Sequence, residues 1–114
     1  MSSTCIFCKI ASGAIPAAKL YEDDELLAFR DLSPQAPQHF LISPRKHLSG
    51  PGAVTSAEAE LVGRMIAKAG DLARELGIGE GYRLVMNHGA EGGQTVFHLH
   101  LHVLGGRPLQ WPPG

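Results

Sequence analysis

The chain predicts an α+β architecture, with a five-stranded antiparallel sheet, one long helix and a short N-terminal helix. Three observations lead there. Five segments carry strand-forming residues between turn signals, Thr55 to Leu76 repeats apolar residues at spacings of three and four, and most strand connections are short. Short connections suit antiparallel neighbours, because a parallel return needs a crossover of a dozen residues or more.

The elements follow in chain order. Cys5 to Ala11 can form a short helix that Gly13 ends, and Ile15-Pro16 leads into a strand at Lys19 to Glu22. The acidic turn Asp23-Asp24 separates this strand from Leu26 to Arg30, predicting a hairpin. Ser33-Pro34 and Pro37 then force a loop, and His39 to Ser43 forms a third strand closed by Pro44, which cannot donate to a ladder. Thr55 and Glu58 make a capping box, so the long helix is expected to start at Thr55. Leu61, Val62, Met65, Ile66, Ala69, Leu72, Ala73 and Leu76 give that helix one apolar stripe, ended by Gly77 and Gly79. Tyr82 to Met86 and Phe97 to Leu104 complete the strands across a loop rich in residues that accept positive φ. The tail from Gln110 to Gly114, with Pro112 and Pro113, is expected to be extended.

Composition bounds the function. The 114 residues suit one domain, spanning 1–114, and hydrophobic and charged fractions of 44% and 18% are those of a globular chain. With Lys+Arg 10 against Asp+Glu 11, no broad basic field is available for a nucleic-acid backbone, although a small anion can still bind locally. Apolar runs are too short to span a bilayer and no signal pattern opens the chain, so a cytoplasmic protein without a membrane partner is expected. Two cysteines, Cys5 and Cys8, argue against a disulfide framework and leave a C-x-x-C pair for metal or redox use.

The most informative segment is His98-Leu99-His100-Leu101-His102-Val103-Leu104. A strand's period of two sends the three histidines to one face and the apolar residues to the other. Imidazoles so placed can ligate a transition metal, or one can act as nucleophile while its neighbours bind phosphate and manage protons. Spacing alone does not choose between these.

Gly92-Gly93-Gln94-Thr95-Val96-Phe97 followed by those histidines resembles the signature of the histidine triad (HIT) superfamily. The resemblance extends through Cys5-Ile6-Phe7-Cys8-Lys9-Ile10, Ile15-Pro16, Phe29 to Pro37, His39 to Ile42 and Gly105-Gly106-Arg107. The terminal Trp111-Pro112-Pro113-Gly114 is similar to the Hint branch, in a bacterial type with an N-terminal C-x-x-C. That branch implies a homodimer that hydrolyses purine nucleoside phosphoramidates and acyl-adenylates. The alternatives are a dinucleoside polyphosphate hydrolase of the Fhit-like branch, or a nucleotide-binding scaffold dimer whose hydrolysis is incidental.

By that resemblance His100 is the nucleophile on the α-phosphorus, with its second nitrogen held by a backbone carbonyl. His102 and His39 sit around the phosphate, and the Thr95 hydroxyl can relay a proton to the leaving amine. Asn87 and Gln94 are uncharged groups suited to phosphate oxygens, and Gly92-Gly93 can offer backbone N–H groups to an anion. Asp31 accepts from the ribose hydroxyls, while Phe7, Ile10, Phe29, Leu32 and Val96 surround the base. His88 receives no role.

Cys5 and Cys8 with His47 and His98 have the composition of a closed tetrahedral zinc site, as some bacterial-type triad proteins carry on corresponding residues. Two buried thiols without metal are the alternative. Such a zinc is expected to be structural, to leave the chemistry at His100 independent of metal, and to let activity survive mild chelation.

Overall fold

A computed structural model describes residues 4–114. Helix α1 spans Ile6–Ala11, and strands β1 and β2 span Lys19–Glu22 and Leu26–Arg30. Strand β3 spans Gln38–Pro44, helix α2 Ala59–Glu75, and strands β4 and β5 Tyr82–Val85 and Leu101–Gly105. The five strands form one sheet in the order β1-β2-β3-β5-β4, and every neighbouring pair is antiparallel. Among the described residues no helix is long and apolar enough to cross a membrane.

Alternation along the strands builds two different cores. Leu26, Ala28, Phe40, Ile42, Leu101 and Val103 face α2, where they meet Met65, Ala69, Leu72 and Ala73. The opposite-parity residues Leu27, Phe29 and Leu41 face α1 and pack with Phe7, Cys8 and Ile10. Register carries polar side chains onto that second face as well. Leu41 stands opposite His102 and Phe29 opposite Leu41, so His39, His102 and Asp31 continue the rows that start in an apolar cluster.

Several details differ from the sequence expectation, among them the end of β4, at Val85 and not Met86. Thr55 does form a capping box with Glu58, but it caps a single 3-10 turn, Ser56–Glu58, before α2 begins at Ala59. Tighter turns at a helix start are common, since they satisfy amides that lack an i−4 partner. Ile66, counted in the apolar stripe, is half exposed. The last strand begins at Leu101 instead of Phe97, because Leu99 N–H donates to the Leu48 carbonyl at 2.7 Å and lies outside the ladder. Leu99 nevertheless stays in the α2 core, so the alternation read from the sequence survives without regular strand.

Candidate active site and metal centre

His98 and His100 precede β5 and His102 lies within it, and all three turn away from the α2 core. Their surroundings then diverge. His98 is fully buried, with Nδ1 3.3 Å from Cys5 Sγ, 3.5 Å from Cys8 Sγ and 3.1 Å from His47 Nδ1. Cys8 Sγ lies 3.3 Å from His47 Nδ1. Cys5 is the N-cap of α1, its sulfur accepting the Cys8 N–H at 3.3 Å, and that short turn brings the two thiols together.

These four residues lie close enough to hold a metal ion, all ligand atoms being within 4.8 Å of one another. In a tetrahedral site with metal–nitrogen and metal–sulfur bonds of ~2.0 and ~2.3 Å, ligand atoms stand roughly 3.3–3.8 Å apart, and the observed separations approach that spacing. Protonation also fits. Among the described residues His98 Nε2 meets the Pro44 carbonyl at 2.7 Å, an oxygen that can only accept, so Nε2 carries the proton and Nδ1 presents a lone pair to the cluster. Burial, reinforced by His47 and His100, holds the His98 pKa below its ordinary value and keeps the ring neutral.

His100 is tied differently. Its Nδ1 lies 2.6 Å from the His98 carbonyl oxygen, which can only accept, so Nδ1 donates and Nε2 is left as a lone pair. The backbone acceptor expected from the sequence is therefore supplied by a residue of the Cys/His cluster. No group among the described residues bonds Nε2, and no buried polar atom lacks a partner, so that nitrogen reaches solvent. The Phe7 ring stands edge-on to His100 at 5.0 Å and to Phe29 at 5.3 Å, linking the imidazole to the apolar wall.

Beside that wall is a cavity of about 310 Å³, lined among others by Phe7, Ile10, Phe29, Asp31, Leu32, Thr95 and Val96. The structure thus gathers the residues expected around a base and ribose. Leu32 is 96% exposed, a rim residue with no place in the core, whereas Phe7, Ile10 and Phe29 are buried and serve packing and wall together. Ile15, Pro16, Ala17 and Ala18 also line it. Of these only Ile15-Pro16 had been singled out, and without a role, since a cavity wall formed by a loop has no periodic signature.

The third imidazole pairs with His39. His39 Nε2 is 2.9 Å from His102 Nδ1 and 3.5 Å from Asp31 Oδ2, and His102 Nδ1 is 4.0 Å from the same oxygen. Burial lowers both histidine pKa values, that of His102 to about 4, with Asp31 opposing the shift in each. Asp31 Oδ1 already accepts the Ser33 N–H at 2.7 Å.

The glycine loop is braced by a residue expected to bind phosphate. Gln94 is buried, its Nε2 donating to the carbonyls of Ser49 and Val96 at 2.7 and 3.2 Å and its Oε1 accepting the Gly89 N–H at 2.9 Å. Its amide is fully engaged with backbone, so it holds the loop in shape; contact with phosphate would require breaking those bonds. Asn87 is partly buried and makes no hydrogen bond among the described residues, which leaves its amide open to a ligand. Thr95 is exposed and lines both the 310 Å³ cavity and a second one of about 450 Å³ beside Cys5, His47 and Phe97. His88 accepts the Gly52 N–H at 3.0 Å, a loop-to-loop tie away from the triad.

Comparison with known proteins agrees with this geometry. The HIT domain family matches residues 12–109. An uncharacterised HIT-like protein of Synechocystis is 55% identical and one of Synechococcus elongatus 48%, each over the full length of both chains. The crystal structure of a HIT family hydrolase from Legionella pneumophila superposes with a TM-score of 0.96 at 51% identity, covering 97% of this chain and all of that one. A histidine triad protein from Clostridium difficile gives 0.92 at 43% identity, over 96% of each chain.

Proposed function

The chain belongs to the HIT domain family, and on that premise we propose that it is a nucleoside phosphoramidase acting through a nucleotidyl-histidine intermediate on His100. Relatives described as HIT family hydrolases support a nucleotide hydrolase. The observation that carries the reading is the 2.6 Å bond from His100 Nδ1 to the His98 carbonyl, which leaves Nε2 with a bare lone pair on a ring edge-on to Phe7 of the cavity lining.

In this scheme the base enters between Phe7, Ile10, Phe29 and Leu32, with Asp31 toward the ribose. Nε2 of His100 attacks the α-phosphorus, the P–N bond to the amine breaks, and the amine leaves with a proton that the exposed Thr95 hydroxyl passes on from solvent. His100 keeps its Nδ1 proton on the His98 carbonyl, which stabilises the positive charge on the ring. Water then cleaves the P–Nε2 bond and releases the nucleotide. His102 and Asn87 hold the phosphate oxygens; the Gly92 and Gly93 N–H groups, expected to face an anion, donate instead to the Gly89 and Ala90 carbonyls at 3.2 and 3.0 Å and close the loop turn.

Cys5, Cys8, His47 and His98 would hold a structural zinc, which closes the loop before His100 and takes no part in bond breaking. Homodimerisation and purine preference come with the branch that the Trp111-Pro112-Pro113-Gly114 tail resembles. Light scattering at micromolar concentration checks the first.

The test compares turnover of a fluorogenic adenosine phosphoramidate and of diadenosine polyphosphates on one preparation. Preferred amidate cleavage is expected. Polyphosphate preference would move the protein to dinucleotide hydrolysis, and tight nucleotide binding with negligible turnover of either would make it a binding module.

A further inference from the structure

Two segments have no part in the chemistry above, Ser33 to Pro37 and Gly105-Gly106-Arg107. In the fold they meet. Arg107 Nε and Nη2 both donate to the Gln35 carbonyl, at 3.2 and 2.9 Å, while Nη1 donates to the Pro108 carbonyl at 3.0 Å. Gly106, at φ +96°, lays the chain against Pro37, where a Cβ would stand 2.9 Å from the proline ring. The Gln35 side chain turns back to the Ser33 carbonyl at 2.8 Å. Residue 35 is thus pinned from both sides, and its N–H donates to His39 Nδ1 at 3.0 Å.

That last bond sets a proton order. A neutral imidazole carries one N–H, so accepting at Nδ1 puts the His39 proton on Nε2. Nε2 then donates to His102 Nδ1, 2.9 Å away, which makes that nitrogen an acceptor and places the His102 proton on its own Nε2. His102 Nε2 has no partner among the described residues and, by the absence of unpaired buried polar atoms, reaches solvent. An outward N–H is what a phosphate oxygen, which only accepts, requires.

The same order decides a question of metal. Asp31, His39 and His102 also place their ligand atoms within 4.8 Å of one another. A ligating nitrogen needs a lone pair, yet His39 Nε2 carries hydrogen because the backbone donates to its other nitrogen. At His98 a carbonyl does the opposite and bares the ligating nitrogen. Two clusters of similar spacing are thereby assigned different chemistry by the peptide group behind each ring.

We propose that Arg107 is a positioning residue: by holding the Gln35 carbonyl it fixes residue 35, whose own N–H, in the preceding peptide, locks His39 and His102 into tautomers that present one N–H to the anionic group of the ligand. Identification of that group as the substrate phosphate rests on the proposed function; the tautomers do not.

Imidazole nitrogen shifts of the 15N-labelled full chain near pH 7 test this, in the wild type, Arg107→Ala, Arg107→Lys and Arg83→Ala. Arg83 is a matched control, an arginine whose Nη2 donates to the backbone carbonyl of Gln110 at 2.8 Å. Expected are Nε2–H forms of both rings in the wild type, mixed tautomers in Arg107→Ala, partial return in Arg107→Lys and no change in Arg83→Ala. Amidate kcat/KM in Arg107→Ala is expected to fall about tenfold, the scale of one charge-assisted hydrogen bond. Arg107 is exposed, so its variants are expected to fold, and circular dichroism verifies that they do. Wild-type rings protonated on Nδ1, or Arg107→Ala rings identical to wild type, would overturn the proposal. Shifted tautomers in Arg107→Ala from a protein inert toward amidates would uphold the lock and refute the phosphoramidase reading.

Discussion

His98 and His100 are joined by a 2.6 Å hydrogen bond from a ring nitrogen to a main-chain oxygen, and the donor's proposed role depends on the acceptor's position. His98 is itself held by the Cys5, Cys8 and His47 cluster and by the Pro44 carbonyl. The cluster and the nucleophile are therefore one mechanical unit, although only His100 would meet phosphorus.

Replacing the nucleophile separates binding from chemistry. His100→Ala is expected to lower amidate turnover at least ~10³-fold while nucleotide affinity changes little, because the base cavity is lined by other residues. Single-turnover kinetics and equilibrium titration on the same sample check this; unchanged turnover would remove His100 from the mechanism.

With the Cys5, Cys8, His47 and His98 set holding a metal as proposed, loss of that metal is expected to act on stability first and on kcat second. A mild chelator is expected to leave activity intact, since Cys8 and His98, two of the proposed ligands, are buried. Cys8→Ala, which breaks the set, is expected to lose metal, melt several degrees lower and turn over more slowly at unchanged KM, as the His98 carbonyl is no longer held. Metal analysis, thermal melts and steady-state kinetics report the three effects.

Acid is expected to destabilise the fold through His102. Its folded-state pKa of about 4 lies below the unfolded value near 6.5, so the folded state binds fewer protons between them. Stability is full above pH 6.5 and falls as pH drops toward 4, by up to about 3 kcal/mol. Burial shifts His39 the same way. Urea midpoints from pH 7.5 to 4 measure the loss, and His102→Gln is expected to flatten the slope.

Leu32 offers a test of the base cavity that avoids the core. Being 96% exposed, it can be changed to alanine without a cavity penalty, so the melting temperature is expected to stay constant. KM for a nucleoside amidate is expected to rise about fivefold, from the apolar area a bound base would cover. Equal KM values would place the base elsewhere.

Gly92 tests the loop. A Cβ there would run into the His88 carbonyl, a backbone atom that cannot swing aside. Gly92→Ala is therefore expected to displace the segment that carries Gly93 and Thr95, with kcat falling about tenfold or more for a small shift of reacting groups.

Much of this molecule was legible in the chain because it depends on local periodicity. The β1 and β2 limits, the α2 stripe from Leu61 to Ala73 and the alternation of Leu99, Leu101 and Val103 with histidines all follow from repeats of 3.6 and 2. The set Cys5, Cys8, His47 and His98 was legible as a composition of ligands through resemblance to relatives, as was the trio His39, His100 and His102. Which nitrogen of each ring holds the proton could not be read from residue identity. That was decided by the Pro44 and His98 carbonyls and the Gln35 amide, backbone groups that every sequence contains and only the tertiary fold brings against a particular imidazole. Gln94 turned inward for the same reason: an amide expected to face a ligand met three backbone partners first. Side-chain chemistry is written along the chain, whereas the hydrogen-bond partner that selects among its forms is a matter of distance between segments far apart in sequence.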